Sequence, residues 1–239
     1  MFGLIPFFGG LIGIWKSGIW GGRNSSLGKS ILFISIGLLL WGIGENIWSY
    51  YNIVKGIPAP YPSLADIGFA PSIFFWGLGA FYLSKASGAR RSFRKSRFAK
   101  IFATVVSLIL LAISYYMLVV VARNGVLVPP DEPLLKLILD IAYPLGDFIA
   151  LTLAFVIFGL SFRLFGGHYS IPIMSILLGL ITMYIGDFVF SYTTTVGTFY
   201  NGNWGDLILT TGLFFLTFGI LGFASVPAAV GQRIHAKDA

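Results

Sequence analysis

Residues 29–54 read KSILFISIGLLLWGIGENIWSYYNIV: an apolar run that begins behind a lysine, carries one acid at Glu45, and ends in a cluster of aromatic and polar side chains. A stretch of this length with no charge between Lys29 and Glu45 is long enough to cross the roughly 30 Å hydrocarbon core of a bilayer as a helix. Working outward, comparable runs punctuated by Gly, Pro and charge clusters occur at 2–20, 64–85, 100–122, 134–164, 171–197 and 204–226. Of the 239 residues, 56% are apolar and only 10% charged, against about 25% charged in ordinary soluble domains, and mean hydropathy is +0.86. The expected fold is all-α: a polytopic membrane protein with a seven-transmembrane-helix bundle over residues 1–226 and a short cytoplasmic tail over 227–239.

Counting excludes several chemistries. With no cysteine there is no disulfide, thiolate nucleophile or cysteine-ligated metal. The two histidines, His168 and His235, lie near expected helix ends and cannot assemble a His-rich zinc site. Gly28-Lys29-Ser30 resembles the end of a phosphate-binding loop, but Arg23 stands where the first glycine belongs and no strand precedes it. Gly-Asp recurs at Asp147, Asp187 and Asp206 without other signatures of intramembrane aspartyl proteolysis, so no enzyme is expected. The first run is the weakest of the seven. Its lysine, Lys16, must snorkel toward headgroups, and no positive residue precedes the run as in a signal peptide.

The net charge of +7 is a matter of topology rather than of nucleic-acid binding, because cytoplasmic connections retain Lys and Arg. The first, third and fifth connections together with the tail hold thirteen basic residues. The other side holds three, Lys55, Arg123 and Lys136. The N-terminus is therefore expected outside and the C-terminus inside, which requires an odd number of helices. The densest cluster, Arg90, Arg91, Arg94, Lys95 and Arg97, reads as the dominant topology signal, and also as a site for anionic membrane lipid or a cytoplasmic signalling partner.

Displacing the chain by 142 positions aligns Gly37 with Gly179, Gly44 with Gly186, Glu45 with Asp187, Ser49 with Ser191 and Tyr50 with Tyr192. Each copy opens its next helix with an acid, Asp66 or Asp206, behind Ser63 or Asn203. The reading is a parallel 3+1+3 internal repeat, with the fourth helix as linker.

Six of nine acids, Glu45, Asp66, Asp140, Asp147, Asp187 and Asp206, fall in or at the mouth of helices on the outer side. A carboxylate at membrane depth must face the bundle interior, a wet cavity or a partner, and no basic residue is expected at matching depth. Aromatic neighbours share the faces: Trp41 and Trp48 flank Glu45, Tyr184 and Ser191 flank Asp187, and Tyr143 precedes Asp147 by one turn. Tyr61-Pro62 before Asp66 is echoed by Tyr143-Pro144 before Asp147. Pro144 inside an apolar span should free the carbonyl of Asp140. Plainer roles compete with ligand binding: Asp66 and Asp206 fit helix capping, Trp204 and Tyr200 fit an interfacial belt, and Glu45, Asp147 and Asp187 fit protonated structural acids.

The order Trp-x3-Glu-x2-Trp-x-Tyr-Tyr, Tyr-Pro-Ser-Leu-Ala-Asp, Ala-Tyr-Pro-Leu-Gly-Asp, Gly-Asp-x3-Ser-Tyr and Gly-Asn-Trp-Gly-Asp resembles prokaryotic seven-helix membrane input domains that precede diguanylate cyclase, PAS or histidine kinase modules, over residues 28–222. The chain departs from them in having no output module. The resemblance implies a multi-pass protein of a prokaryotic cell membrane, with Trp41, Glu45, Trp48, Tyr61, Pro62, Asp66, Tyr143, Pro144, Asp147, Asp187, Tyr192 and Asp206 as its characteristic set. The residues themselves suggest a sensor or receptor whose outward pocket takes a small cationic or hydrogen-bonding ligand, or a metal ion held by carboxylates. The candidate ligand-binding set is Trp41, Glu45, Trp48, Tyr61, Asp66, Asp140, Tyr143, Asp147, Tyr184, Asp187, Ser191, Tyr192, Trp204 and Asp206. No cofactor is expected, since 204–226 lacks the lysine a retinal would need. The alternatives are a small-solute or proton-coupled transporter and a structural subunit anchored through its basic loop. In the sharpest form of the reading, Glu45 and Asp187 face each other across one outer cavity.

Overall fold

A computed structural model describes residues 3–121, 123–126, 133–160 and 169–223, and among these the chain is helical with no strand. The helices are α1 (Leu4–Ile19), α2 (Ser26–Ser49, continued by a π-helical turn Tyr50–Val54), α3 (Asp66–Ala86), α4 (Ala89–Lys95), α5 (Arg97–Tyr115, continued by a π-helical stretch Tyr116–Val121), α6 (Leu134–Leu160), α7 (Ser170–Thr195) and α8 (Trp204–Leu221). The expected tail 227–239, the expected ends of the fourth, fifth and seventh spans at 122, 164 and 226, and both histidines lie outside the described residues.

Six of these helices are long and apolar enough to cross a membrane: α2, α3, α5, α6, α7 and α8. The seventh expected span, α1, has 16 residues, about 24 Å of helix, and falls short of the length a bilayer core requires. Local capping explains the sharp helix starts. Ser25 accepts from the Gly28 amide at 2.8 Å, Ser96 from Ala99 at 3.3 Å, and Asn203 from Asp206 at 3.1 Å.

Two details differ from the sequence expectation. The third connection is not a plain basic loop, because Gly88 takes a left-handed φ of 79° and the chain then forms α4; Arg90 and Lys85 lie over the Phe81 ring at 5.3 and 4.4 Å. Lys16 does not reach for headgroups. Its ammonium donates to the carbonyls of Leu221 and, at 3.0 Å, Phe223, which leave the end of α8 without intrahelical donors.

In lipid, apolar surface gains little by leaving one apolar medium for another, so close van der Waals packing has to hold helices together, and small residues permit it. That is what is observed. A Cβ on Gly10 would stand 2.6 Å from the Leu39 amide nitrogen and 2.7 Å from the Ser35 carbonyl of α2, and one on Gly9 would meet Thr217 of α8 at 2.4 Å. These glycines let α1 wedge between α2 and α8 while Phe8, Leu11 and Trp15 point outward.

The α2–α3 and α7–α8 pairs, which pack most extensively, use matching contacts. Gly37 faces Trp76 as Gly179 faces Leu216, Gly44 faces Phe69 as Gly186 faces Leu209, and Gly79 faces Ile34 as Gly219 faces Ile176. The pairs are joined where α3 touches α6 and α8 touches α1. The core between them holds Ile34, Leu38, Trp76, Ala154, Ile157, Leu177 and Leu216, all essentially buried. Outside α5 the exposed side chains Phe98, Ile101, Leu108 and Ile109 form an apolar face, as a helix bordered by lipid requires.

Candidate functional site

The end of the bundle where α2 and α7 finish and α3, α6 and α8 begin holds a cavity of about 640 Å³, within the usual range for small-molecule sites. It lies at the opposite end of α3 from α4 and its basic residues. Two irregularities shape it. The π-helical turn Tyr50–Val54 re-aims the end of α2 and brings Asn52 and Ile53 to the wall. On α6, Pro144 leaves the Asp140 carbonyl without its helical donor, and Arg123 supplies one from the preceding loop at 3.3 Å.

Around the mouth, the polar groups are largely spent on one another. The Asp140 carboxylate accepts from the Tyr61 hydroxyl at 2.7 Å and pairs with Arg123 at 3.5 Å and Lys136 at 3.4 Å. Burial first, and then this hydrogen bond, raise the Tyr61 phenol above its ordinary pKa, so it remains a donor. Asp66 accepts from the Ser63 amide at 2.7 Å with one oxygen and from the Tyr143 hydroxyl at 2.6 Å with the other. Asp206 Oδ2 accepts from the Gly202 amide. Trp48 Nε1 donates to Asn201 Oδ1 at 3.3 Å, and Asn201 donates in turn to Asn52 at 2.9 Å.

Deeper, the acids are less provided for. Glu45 accepts from Trp41 Nε1 at 3.3 Å, and Asp206 of α8 lines the same cavity. Asp147, 6% exposed, and Asp187 line the cavity from the contacting helices α6 and α7. Asp187 Oδ2 is buried with no hydrogen-bond partner among the described residues. The wall between is aromatic: Trp41 stacks on Trp76 at 5.1 Å and leans on Phe69 at 4.8 Å, while Trp48 meets Phe190 and Phe199 edge-on at 6.2 and 6.4 Å.

Twelve of the fourteen candidate residues line this one cavity: Trp41, Glu45, Trp48, Tyr61, Asp66, Asp140, Tyr143, Asp147, Tyr184, Asp187, Ser191 and Asp206. Tyr192 and Trp204 do not. Tyr192 is 39% exposed and stacks on Phe188, and Trp204 is 71% exposed, the outward position of an interfacial ring.

Two expectations need correction. Basic partners do exist at Asp140, because Arg123 and Lys136 fold back to it. Same-helix aromatic partners hold only for Trp41 and Glu45: Tyr143 serves Asp66, Tyr184 contacts Ser114 of α5 at 2.8 Å, and Trp48 serves Asn201. Glu45 and Asp187 both line this cavity, from α2 and α7. Among the described residues no three His, Cys, Asp or Glu side chains are grouped to hold a metal ion. Phe69, Phe190, Phe199, Asn52 and Asn201 escaped sequence reading, though Phe190 lies three residues after Asp187 on the same helical face.

Comparison with protein-family models, curated proteins and solved structures returns no match. Among the described residues the protein is all-helical with six apolar helices of membrane-spanning length, compatible with a multi-pass membrane protein.

Proposed function

We propose that the protein is a membrane sensor or receptor whose acidic, aromatic cavity faces outward and binds a small cationic, hydrogen-bonding ligand, with a separate cytoplasmic partner receiving the signal at Arg90, Arg91, Arg94, Lys95 and Arg97. The observation that carries this reading is the cavity itself. It collects six acids against two cations, both of which pair with Asp140. Carboxylates left without cations favour positive charge in a site shielded from water, and aromatic walls suit organic cations. An outward cavity is supported by its position opposite the basic α4, which the distribution of positive charge assigns to the cytoplasmic side. The short α1 counts as a seventh helix in this arrangement.

Thermal unfolding of the purified protein with organic amines tests the reading, because a ligand that binds the folded state raises its melting temperature by mass action. A concentration-dependent rise with amines is expected. No shift with any amine up to millimolar concentrations would refute it.

The alternative of a small-solute or proton-coupled transporter rests on the matched α2–α3 and α7–α8 contacts and the reciprocal α3–α6 and α1–α8 junctions, the pattern of a duplicated three-helix unit. Proton-driven uptake into proteoliposomes, lost in Asp187→Asn, would favour it over the receptor.

A further inference from the structure

The acids of the cavity divide by whether their acceptors are already used. Asp66 and Asp140 are satisfied by amides, hydroxyls and cations. Unspent acceptor capacity remains at two places on different helices. One is the Asp147–Asp187 pair between α6 and α7, where a residue only 6% exposed meets an oxygen with no donor. The other is Glu45 on α2, with one oxygen held by Trp41 and with Asp206 of α8 lining the same cavity. No three of these acids are grouped to share a single ion, so one metal cation cannot satisfy both places. The same cavity is lined by the aromatic rings of Trp41, Trp48, Phe69, Phe190 and Phe199.

Resting on the cationic-ligand reading above, we propose that the cavity takes a linear dication with two separated protonated amines: one ammonium at Asp147 and Asp187, the other at Glu45 and Asp206, and the methylene chain along the aromatic wall. Asp187 Oδ2 and the second oxygen of Glu45 lack donors among the described residues, so the ligand must bring N–H groups, which primary ammonium has and quaternary ammonium lacks. Aromatic faces attract the cations and cover the methylenes. An ammonium seated at Asp147 and Asp187 donates N–H groups to both carboxylates.

The test is isothermal titration of the full-length protein in nanodiscs with three kinds of probe: α,ω-diaminoalkanes of graded length, n-alkylamines of matching length, and bis-trimethylammonium alkanes. Joining two seats through one chain makes the second binding step intramolecular, so the best diamine should bind roughly a hundredfold more tightly than its monoamine. Affinity should also peak at one chain length. Asp187→Asn and Glu45→Gln should each reduce the diamine to monoamine affinity while leaving the circular dichroism spectrum and melting temperature of the free protein close to wild type. Tyr192→Phe, outside the cavity wall, should leave it tight. Equal affinity for diamines and monoamines, or equal affinity for the bis-quaternary series, would overturn the two-seat inference and leave the cationic-ligand reading standing. No binding by any of the three series would overturn both.

Discussion

Gly37→Ala is the substitution through which packing should reach the cavity. A Cβ at this position would lie 2.4 Å from Trp76 Cδ1, 2.5 Å from its Nε1 and 2.9 Å from the Ser72 carbonyl, all well inside contact distance. Trp76 is 1% exposed and stacks at 5.1 Å on Trp41, which donates to Glu45. The indole cannot retreat without pressing its neighbour, so the strain is transmitted to the cavity wall. Overpacking of a dense core costs about 1–3 kcal/mol, a factor of roughly 5–150 in the folding equilibrium at 1.4 kcal/mol per tenfold. The matched position supplies the control. In Gly179→Ala the new carbon meets Leu216 at 2.7 and 2.9 Å, a clash of similar severity that touches no tryptophan. Reversible unfolding in detergent, followed by far-UV circular dichroism, should report comparable destabilisation of both variants. Near-UV circular dichroism of the folded proteins should change only for Gly37→Ala. A Gly37→Ala protein as stable as wild type, or a near-UV change as large in Gly179→Ala, would refute the reasoning.

Tyr143→Phe removes the 2.6 Å donor to Asp66 and should cost about 1–3 kcal/mol, the penalty for an acceptor stripped of its partner, read from the same unfolding curves; no loss would mean water replaces the hydroxyl. Arg123→Ala and Asp140→Asn should each destabilise, and the double variant should lose less than the sum, by about 0.5–3 kcal/mol in a double-mutant cycle; strict additivity would deny their coupling. Lys16→Met leaves the Leu221 and Phe223 carbonyls without their donor and should lower stability by about 1.5–3 kcal/mol, with amide exchange rising first at the end of α8. Because the chain has no cysteine, single replacements report topology directly: Tyr200→Cys should react with an impermeant maleimide on intact cells, and Phe93→Cys only after permeabilisation, the reverse pattern contradicting an outward cavity.

The helical spans and their starts could be read from residues 29–54 and their counterparts because both depend on near neighbours. Apolar character summed over about twenty residues decides whether a segment suits the bilayer, and a cap such as Asn203 acts on an amide three residues away. The collection of acids and aromatics at one end was legible for the same reason, since each lies at a countable distance from a helix terminus. What α-helical spacing could not supply was the partner of each side chain. It placed Tyr143 beside Asp147, yet the hydroxyl reaches Asp66, 77 residues earlier. It placed Trp48 beside Glu45, yet the indole reaches Asn201, 153 residues later.

Those choices depend on how each helix is rotated against its neighbours, and that rotation is set by where glycines allow backbones to meet: Gly37 under Trp76, Gly44 under Phe69, Gly10 against Leu39. Arg123 was countable as an outer charge, but only the fold brings it back to the Asp140 carbonyl that Pro144 frees. The 16-residue α1 shows the same division. Its apolar composition was plain from the chain, whereas its place between α2 and α8 follows from the close approach of Gly9 and Gly10 to surfaces hundreds or tens of residues away in sequence.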